Sequence, residues 1–125
     1  MQTLIVKLPP PGRTLSPNGR VHWSKKSKAT AKARLDAGLA ATAAIREQGV
    51  TVPFAKATVQ VRSWVTKKIF QDDDNLNASC KAYFDGLADA GIVANDRDFT
   101  RLPPVQLVQP IGKPYIELII TEVEP

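Results

Sequence analysis

Three consecutive aspartates, Asp72-Asp73-Asp74, run into Asn75-Leu76, and Lys81, Asp85 and Asn95-Asp96 follow within two dozen residues. Carboxylates crowded in this way repel one another and are rarely buried without partners. A hard divalent cation such as Mg²⁺ relieves the repulsion, because it takes oxygen ligands and keeps positions for water and phosphate. Carboxylates holding a metal inside a positively charged frame are what hydrolysis of a phosphodiester requires. The same aspartates have a plainer use: ahead of a helix they cap free N–H groups and complement the helix dipole, by about 0.3–1 kcal/mol each. A calcium-binding loop is excluded. Counting from Asp72 puts Leu76 at the fifth position, and counting from Asp73 puts Ala78 where Gly belongs and Phe84 where Glu belongs.

The frame is basic, and unevenly so. Residues 1–49 hold nine Lys/Arg against Asp36 and Glu47, whereas residues 50–125 hold eight Lys/Arg against ten Asp/Glu. Seven of those ten acids fall between Asp72 and Asp98. A basic first part joined to an acidic cluster suits a polyanion that must be held and must also meet a metal. The 125 residues, 43% hydrophobic and 23% charged, suffice for one domain with a single core. One Cys and one His exclude a disulfide framework within the chain and argue against a single-chain zinc site. No apolar run has the length of a membrane span or a signal segment, so a cytoplasmic protein with no membrane partner is expected.

The elements that must position these residues follow from periodicity. Gln2–Leu8 alternates as a strand and ends at Pro9-Pro10-Pro11-Gly12; Arg13–Trp23 is a loop with Ser16-Pro17-Asn18-Gly19 as its turn signal. Ser24–Gln48, rich in Ala, Lys and Arg, predicts a long helix with Leu35, Leu39, Ala43 and Ile45 as its apolar stripe and Gly49 as its stop. Lys25, Lys28 and Lys32 share one of its faces. Lys56–Thr66 predicts a strand with Ala57, Val59, Val61, Ser63 and Val65 on one side. A second helix is predicted from Asp74 to Ala90, burying Leu76, Cys80, Phe84 and Leu87, with Cys80 a small core residue. On its other side Asp74, Lys81 and Asp85 align, so Lys81 reaches toward the aspartates. Phe99–Val108, broken by Pro103-Pro104, predicts an edge strand or bulge, and Tyr115–Glu122 a last strand with Ile116, Leu118 and Ile120 on one face. The order β-α-β-α-β-β makes this an α/β (α+β) chain, two main helices on a small mixed sheet.

Three segments carry a family resemblance. They are Pro10-Pro11-Gly12 with Leu15-Ser16-Pro17-Asn18-Gly19-Arg20-Val21-His22-Trp23; Asp72-x-Asp74-Asn75-Leu76 continuing to Lys81-x-x-x-Asp85-Gly86-Leu87 and Asp89-Ala90-Gly91; and Asn95-Asp96. With them the chain resembles the RusA family of Holliday junction resolvases over nearly its whole length, as a single RusA-like domain, 1–125. The resemblance implies a catalytic Mg²⁺ (or Mn²⁺) held by Asp72, Asp74 and Asp96, with Lys81 stabilising phosphate charge, and products bearing a 5′-phosphate and a 3′-hydroxyl. Where the family often has two acids after the helix, this chain has Asn95-Asp96.

The function so implied is structure-selective cleavage of four-way DNA junctions by paired nicks, in recombination and repair, with no small-molecule cofactor. A nuclease of the same chemistry on other branched DNA, or a phage accessory protein that binds junctions without cutting, are the alternatives. Asn18, Arg20, His22, Lys25, Lys26, Lys28, Lys67 and Lys68 are the candidate DNA contacts. His22 serves equally as a turn-stabilising hydrogen-bond partner. Trp23 is read as a hydrophobic anchor at the start of the long helix in preference to a stacking platform. A four-way junction has approximate two-fold symmetry and needs two nicks, so a homodimer is expected.

Overall fold

Strand β1, Thr3–Leu8, buries Leu4, Val6 and Leu8 and turns Thr3, Ile5 and Lys7 outward, the period-2 pattern of a strand with one covered face. The computed structural model describes residues 1–12, 15, 22–67, 73–109 and 111–123, with residues 73, 74 and 96 described through their backbone. The other elements are α1 (Trp23–Gln48), β2 (Lys56–Val65), α2 (Asp73–Ser79), α3 (Lys81–Asp89), a 3₁₀ turn (Asp96–Asp98), β3 (Phe99–Arg101), β4 (Val105–Val108) and β5 (Tyr115–Val123).

The strands form one mixed sheet. β5 lies between β1 and β2, antiparallel to both, while β3 and β4 run parallel to the first and last thirds of β2. β2–α2–α3–β3 is therefore a parallel crossover, the connection that parallel strands require. The α/β assignment with a small mixed sheet holds. Two elements differ from the expected order. Phe99–Val108 is two strands, because Pro103 and Pro104 have no N–H for the ladder; there Leu102 N–H reaches the Val59 carbonyl and the Gln60 side chain bonds the Pro103 carbonyl. The second helix is also divided, at Cys80, whose backbone (φ −93°, ψ 4°) leaves the helical well.

Helices α1 and α3 cover one face of the sheet, and the core lies between: Leu4, Val6, Val59, Val61, Leu118 and Ile120 from the strands, Phe84 and Leu87 from α3. Leu76, Cys80, Phe84 and Leu87 are all buried, as their spacing requires. The opposite face carries Lys7, Tyr115 and Trp64 side by side: the two rings stack at 5.9 Å, the Lys7 ammonium lies 4.1 Å from the Tyr115 centroid, and the Trp64 indole donates to Glu117.

Helix α1 overturns its expected stripe except at Ile45, which packs against the core. Leu35 and Leu39 are 61% and 63% exposed and Ala43 is exposed, whereas Ala33, Ala37, Ala41 and Ala44 are buried. Packing distance explains the reversal. An added Cβ at Gly86 of α3 would lie 2.3 Å from the Arg34 carbonyl oxygen and 2.7 Å from Ala37 Cβ, so only small side chains fit between these backbones. The alanine face wins by close approach, and the larger leucines are turned to solvent. His22 caps the start of α1, its Nδ1 accepting from Ser24 N–H at 3.2 Å; Gly49, at φ 65°, closes its end by donating to Ile45.

This packing predicts that Gly86→Ala destabilises the protein despite the roughly 1 kcal/mol that Ala gains over Gly inside a helix, since overpacking costs about 1–3 kcal/mol. Leu35→Gln should shift stability by no more than about 0.5 kcal/mol. Urea denaturation followed by circular dichroism compares them; a neutral Gly86→Ala contradicts the contact.

Candidate functional site

β1 and β2 run in the same direction, and α1 and the α2–α3 pair each return antiparallel to them, so strand C-termini and helix N-termini gather at one end of the sheet. In open α/β sheets that end is where ligands bind. Here it holds Lys67 just past β2, the first turns of α1, and the start of α2 with Asp73 and Asp74.

From the tight contact at Gly86, a cleft of about 210 Å³ opens toward those N-termini. Lys26 and Thr30 of α1 form one wall; Ser79, Lys81 and Asp85 form the other. Lys81 is exposed and its ammonium lies 3.5 Å from the Asp85 carboxylate, one turn on. Thr30 and Ser79 direct their hydroxyls back to their own helices, donating to the carbonyls of Lys26 and Asn75 at 2.8 Å. The ammonium groups of Lys26 and Lys81 are thus the polar ends left to meet a ligand, with Asp85 orienting the second. Lys26 also borders a wider adjoining cleft, described below. The expected alignment of Lys81 and Asp85 is present; Lys26, ranked by sequence only as one basic surface residue among several, proves to face Lys81 across the cleft. No sequence period within α1 alone signals that, because the pairing is between helices.

The first turn of α1 contains no acid, although Lys25 and Lys26 stand there and Lys28 in the next. Cations at a helix N-terminus oppose the dipole, by about 0.3–1 kcal/mol each. That arrangement favours an anionic ligand. Lys25 and Lys28 are exposed; Lys32, on the same continuous helix, is paired with Asp36 at 2.8 Å. His22 takes the structural role of N-cap. Trp23 does not serve as an anchor among the described residues: it is 75% exposed at the first position of α1.

Of the expected metal ligands, Asp72 lies outside the described residues, as do the candidate DNA contacts Asn18, Arg20 and Lys68; the side chains of Asp74 and Asp96 are likewise not described. Backbone placement separates the last two. Asp74 is in the first turn of α2, whereas Asp96 follows α3 and precedes β3, which pairs with the start of β2. Along the sheet, Asp96 precedes a strand paired with the start of β2, whereas Asp74 follows the end of β2. Among the described residues no group of three His, Cys, Asp or Glu is placed to share an ion. The Oδ1 of Asn77, one turn after Asp74, is buried with no hydrogen-bond partner among them.

Other titratable groups support the frame. Two hydrogen bonds from the Arg34 guanidinium, at 2.5 and 2.7 Å, hold the Asp89 carboxyl below its usual range and tie α1 to the end of α3. Burial pushes the Cys80 thiol up to about 12, and burial likewise raises Tyr83, whose hydroxyl donates to the Pro9 carbonyl at 2.6 Å, to about 12. Cys80 is thus a protonated core group and no nucleophile.

No family model matches the chain. Over 109 residues, 85% of its length, it is 38% identical to an uncharacterized protein of Xylella fastidiosa (strain Temecula1), and the match covers 67% of that protein. The chain belongs to the same family as that protein. No helix among the described residues is long and apolar enough to cross a membrane.

Cys80 supplies a check on this core. A thiol with a higher pKa folded than unfolded binds its proton more tightly in the native state. Its stabilisation is present below the unfolded value of 9.0 and is lost as pH rises from there toward about 12. Native protein at pH 8 should resist alkylation by N-ethylmaleimide and react fully in denaturant. Stoichiometric labelling of the folded protein contradicts the burial.

Proposed function

We propose that this protein is a metal-dependent endodeoxyribonuclease of the RusA type that acts on four-way DNA junctions as a homodimer. The observation that carries the reading is the cleft at the N-terminal ends of α1 and α3, where Lys26 and Lys81 line opposite walls and Lys81 stands just past α2, the short helix that contains Asp74. Hard oxygen donors at Asp72 and Asp74, with Asn77 Oδ1 one turn on and without a hydrogen-bond partner among the described residues, suit Mg²⁺ or Mn²⁺ better than a soft metal. An ion bound there supplies Lewis acidity and a water of lowered pKa.

The chain's own groups do the rest. Lys26 holds a phosphate at the cleft mouth. Lys81, kept in place by Asp85, neutralises charge that grows on the phosphate oxygens as the bond to the leaving oxygen breaks. Lys25, Lys28 and Lys67 extend the positive rim to neighbouring phosphates.

Asp96 enters this reading from a second copy, since its own chain holds it beyond the far end of α3. A two-fold dimer that places the partner's Asp96 near Asp74 completes two sites at once. The same separation favours a second reading, a junction-binding protein that does not cleave.

Two measurements separate these. Asp72→Asn and Asp74→Asn should abolish Mg²⁺-dependent cleavage while junction binding persists, and Lys81→Ala should cost about 2–4 kcal/mol in the single-turnover barrier, the scale of a lost transition-state contact. Mixed Asp74→Asn and Asp96→Asn proteins should regain cleavage, because one of the two sites in a heterodimer is then intact. Retained turnover in either Asp→Asn variant contradicts the metal site; a mixture as inactive as its components contradicts the shared one.

A further inference from the structure

The chain's two tryptophans have opposite surroundings. Trp64 is stacked on Tyr115 and hydrogen-bonded to Glu117. Trp23 stands 75% exposed at the first position of α1, with His22 as its ring neighbour at 5.6 Å and no hydrogen bond to its indole among the described residues. Trp is highly buried on average, so an indole this exposed stands apart from Trp64. This one borders a cleft of about 440 Å³ formed with Lys26, Ser27, Thr30, Ala31 and Arg34. Lys26 and Thr30 also line the cleft that contains Lys81, so the indole and the Lys81 ammonium lie in adjoining depressions with Lys26 between them.

The chemistry of the wall identifies what fits. Arg34 is engaged with Asp89, which neutralises that carboxylate, and the first turn of α1 has no acid. The cleft therefore offers an aromatic surface, an ammonium group and, among the described residues that line it, no opposing negative charge. A nucleotide matches both parts: its base stacks on indole and its phosphate pairs with a lysine. An apolar peptide would leave Lys26 unmatched. Bases within a duplex already stack on their neighbours, so a base free to stack on Trp23 is an unpaired one, or one at a branch point where stacking is broken.

We infer that Trp23 is a base-stacking residue that selects DNA with unstacked bases, branched or single-stranded, and that Lys26 holds the adjoining phosphate and directs the backbone toward Lys81. This rests on the nuclease reading for its purpose but not for its geometry. It makes Trp23 a specificity residue. The lysines bind any DNA; the indole distinguishes a branch from a continuous duplex.

Binding in EDTA, without cleavage, tests it. A labelled four-way junction, a linear duplex of the same arm sequence and a single-stranded oligonucleotide are titrated by fluorescence anisotropy. Trp23→Ala should weaken junction and single-strand binding about 5- to 100-fold, the range for one lost base stack, and change duplex binding less than about 2-fold. Trp23→Phe should retain most of the affinity. In a Trp64→Phe background, leaving Trp23 as the sole tryptophan, junction and single strand should quench the indole and the duplex should not. Equal loss on all three DNAs, no loss on any, or a changed sedimentation coefficient in Trp23→Ala (an indole at a protein interface) overturns the stacking role while leaving the nuclease reading intact. Wild-type protein that binds none of the three DNAs overturns both.

Discussion

The close contact between α1 and α3 at Gly86 governs the rest of the molecule. Where two helix backbones come near enough that a Cβ would lie 2.3 Å from a carbonyl oxygen, only glycine and alanine can stand between them. That condition selects Ala33, Ala37 and Ala41 as the inner face of α1 and turns Leu35 and Leu39 outward. It also sets the geometry of the candidate site. Helices touching at Gly86 and tied at the α3 terminus by Arg34 and Asp89 leave space toward their N-terminal ends, and Lys26 and Lys81 meet across that space.

Catalysis by positioned charge depends on rigidity of this kind. Here the helices that carry Lys26 and Lys81 are fixed against each other at Gly86, and Asp85 pairs with Lys81 at 3.5 Å. The absence of any acid in the first turn of α1 leaves the positive end of its dipole without a carboxylate partner on that turn. The fold places its anion-attracting features at one end of the sheet.

Much of this was legible in the sequence where one interaction dominates. Strand faces followed from alternation, because each is covered on one side only: Ala57, Val59, Val61 and Ser63 are buried as their period requires. Leu76, Cys80, Phe84 and Leu87 marked the inner side of the second helical segment, and Gly49 marked the end of α1. Legibility failed where tertiary contact overrides local preference. The α1 stripe was misread because hydrophobic size points to leucine, whereas the distance between helices, invisible in one chain segment, demands alanine. Trp23, 75% exposed, was misread for a related reason: whether an aromatic at a helix start is covered depends on tertiary neighbours that the local sequence does not show. Asp74 and Asp96 are separated by a crossover whose length was countable, but its direction relative to β2 and β3 was not evident before the sheet order was known.

The central claim, that the cleft between α1 and α3 serves metal-dependent scission of branched DNA, is most directly tested with purified wild-type protein and a 5′-labelled four-way junction, with Mg²⁺ and with EDTA. The account predicts Mg²⁺-dependent, symmetrically paired nicks whose ends are resealed by DNA ligase, and no cutting of linear duplex at the same protein concentration. A junction bound but left intact in Mg²⁺ and in Mn²⁺, or duplex cut as readily as junction, would contradict it.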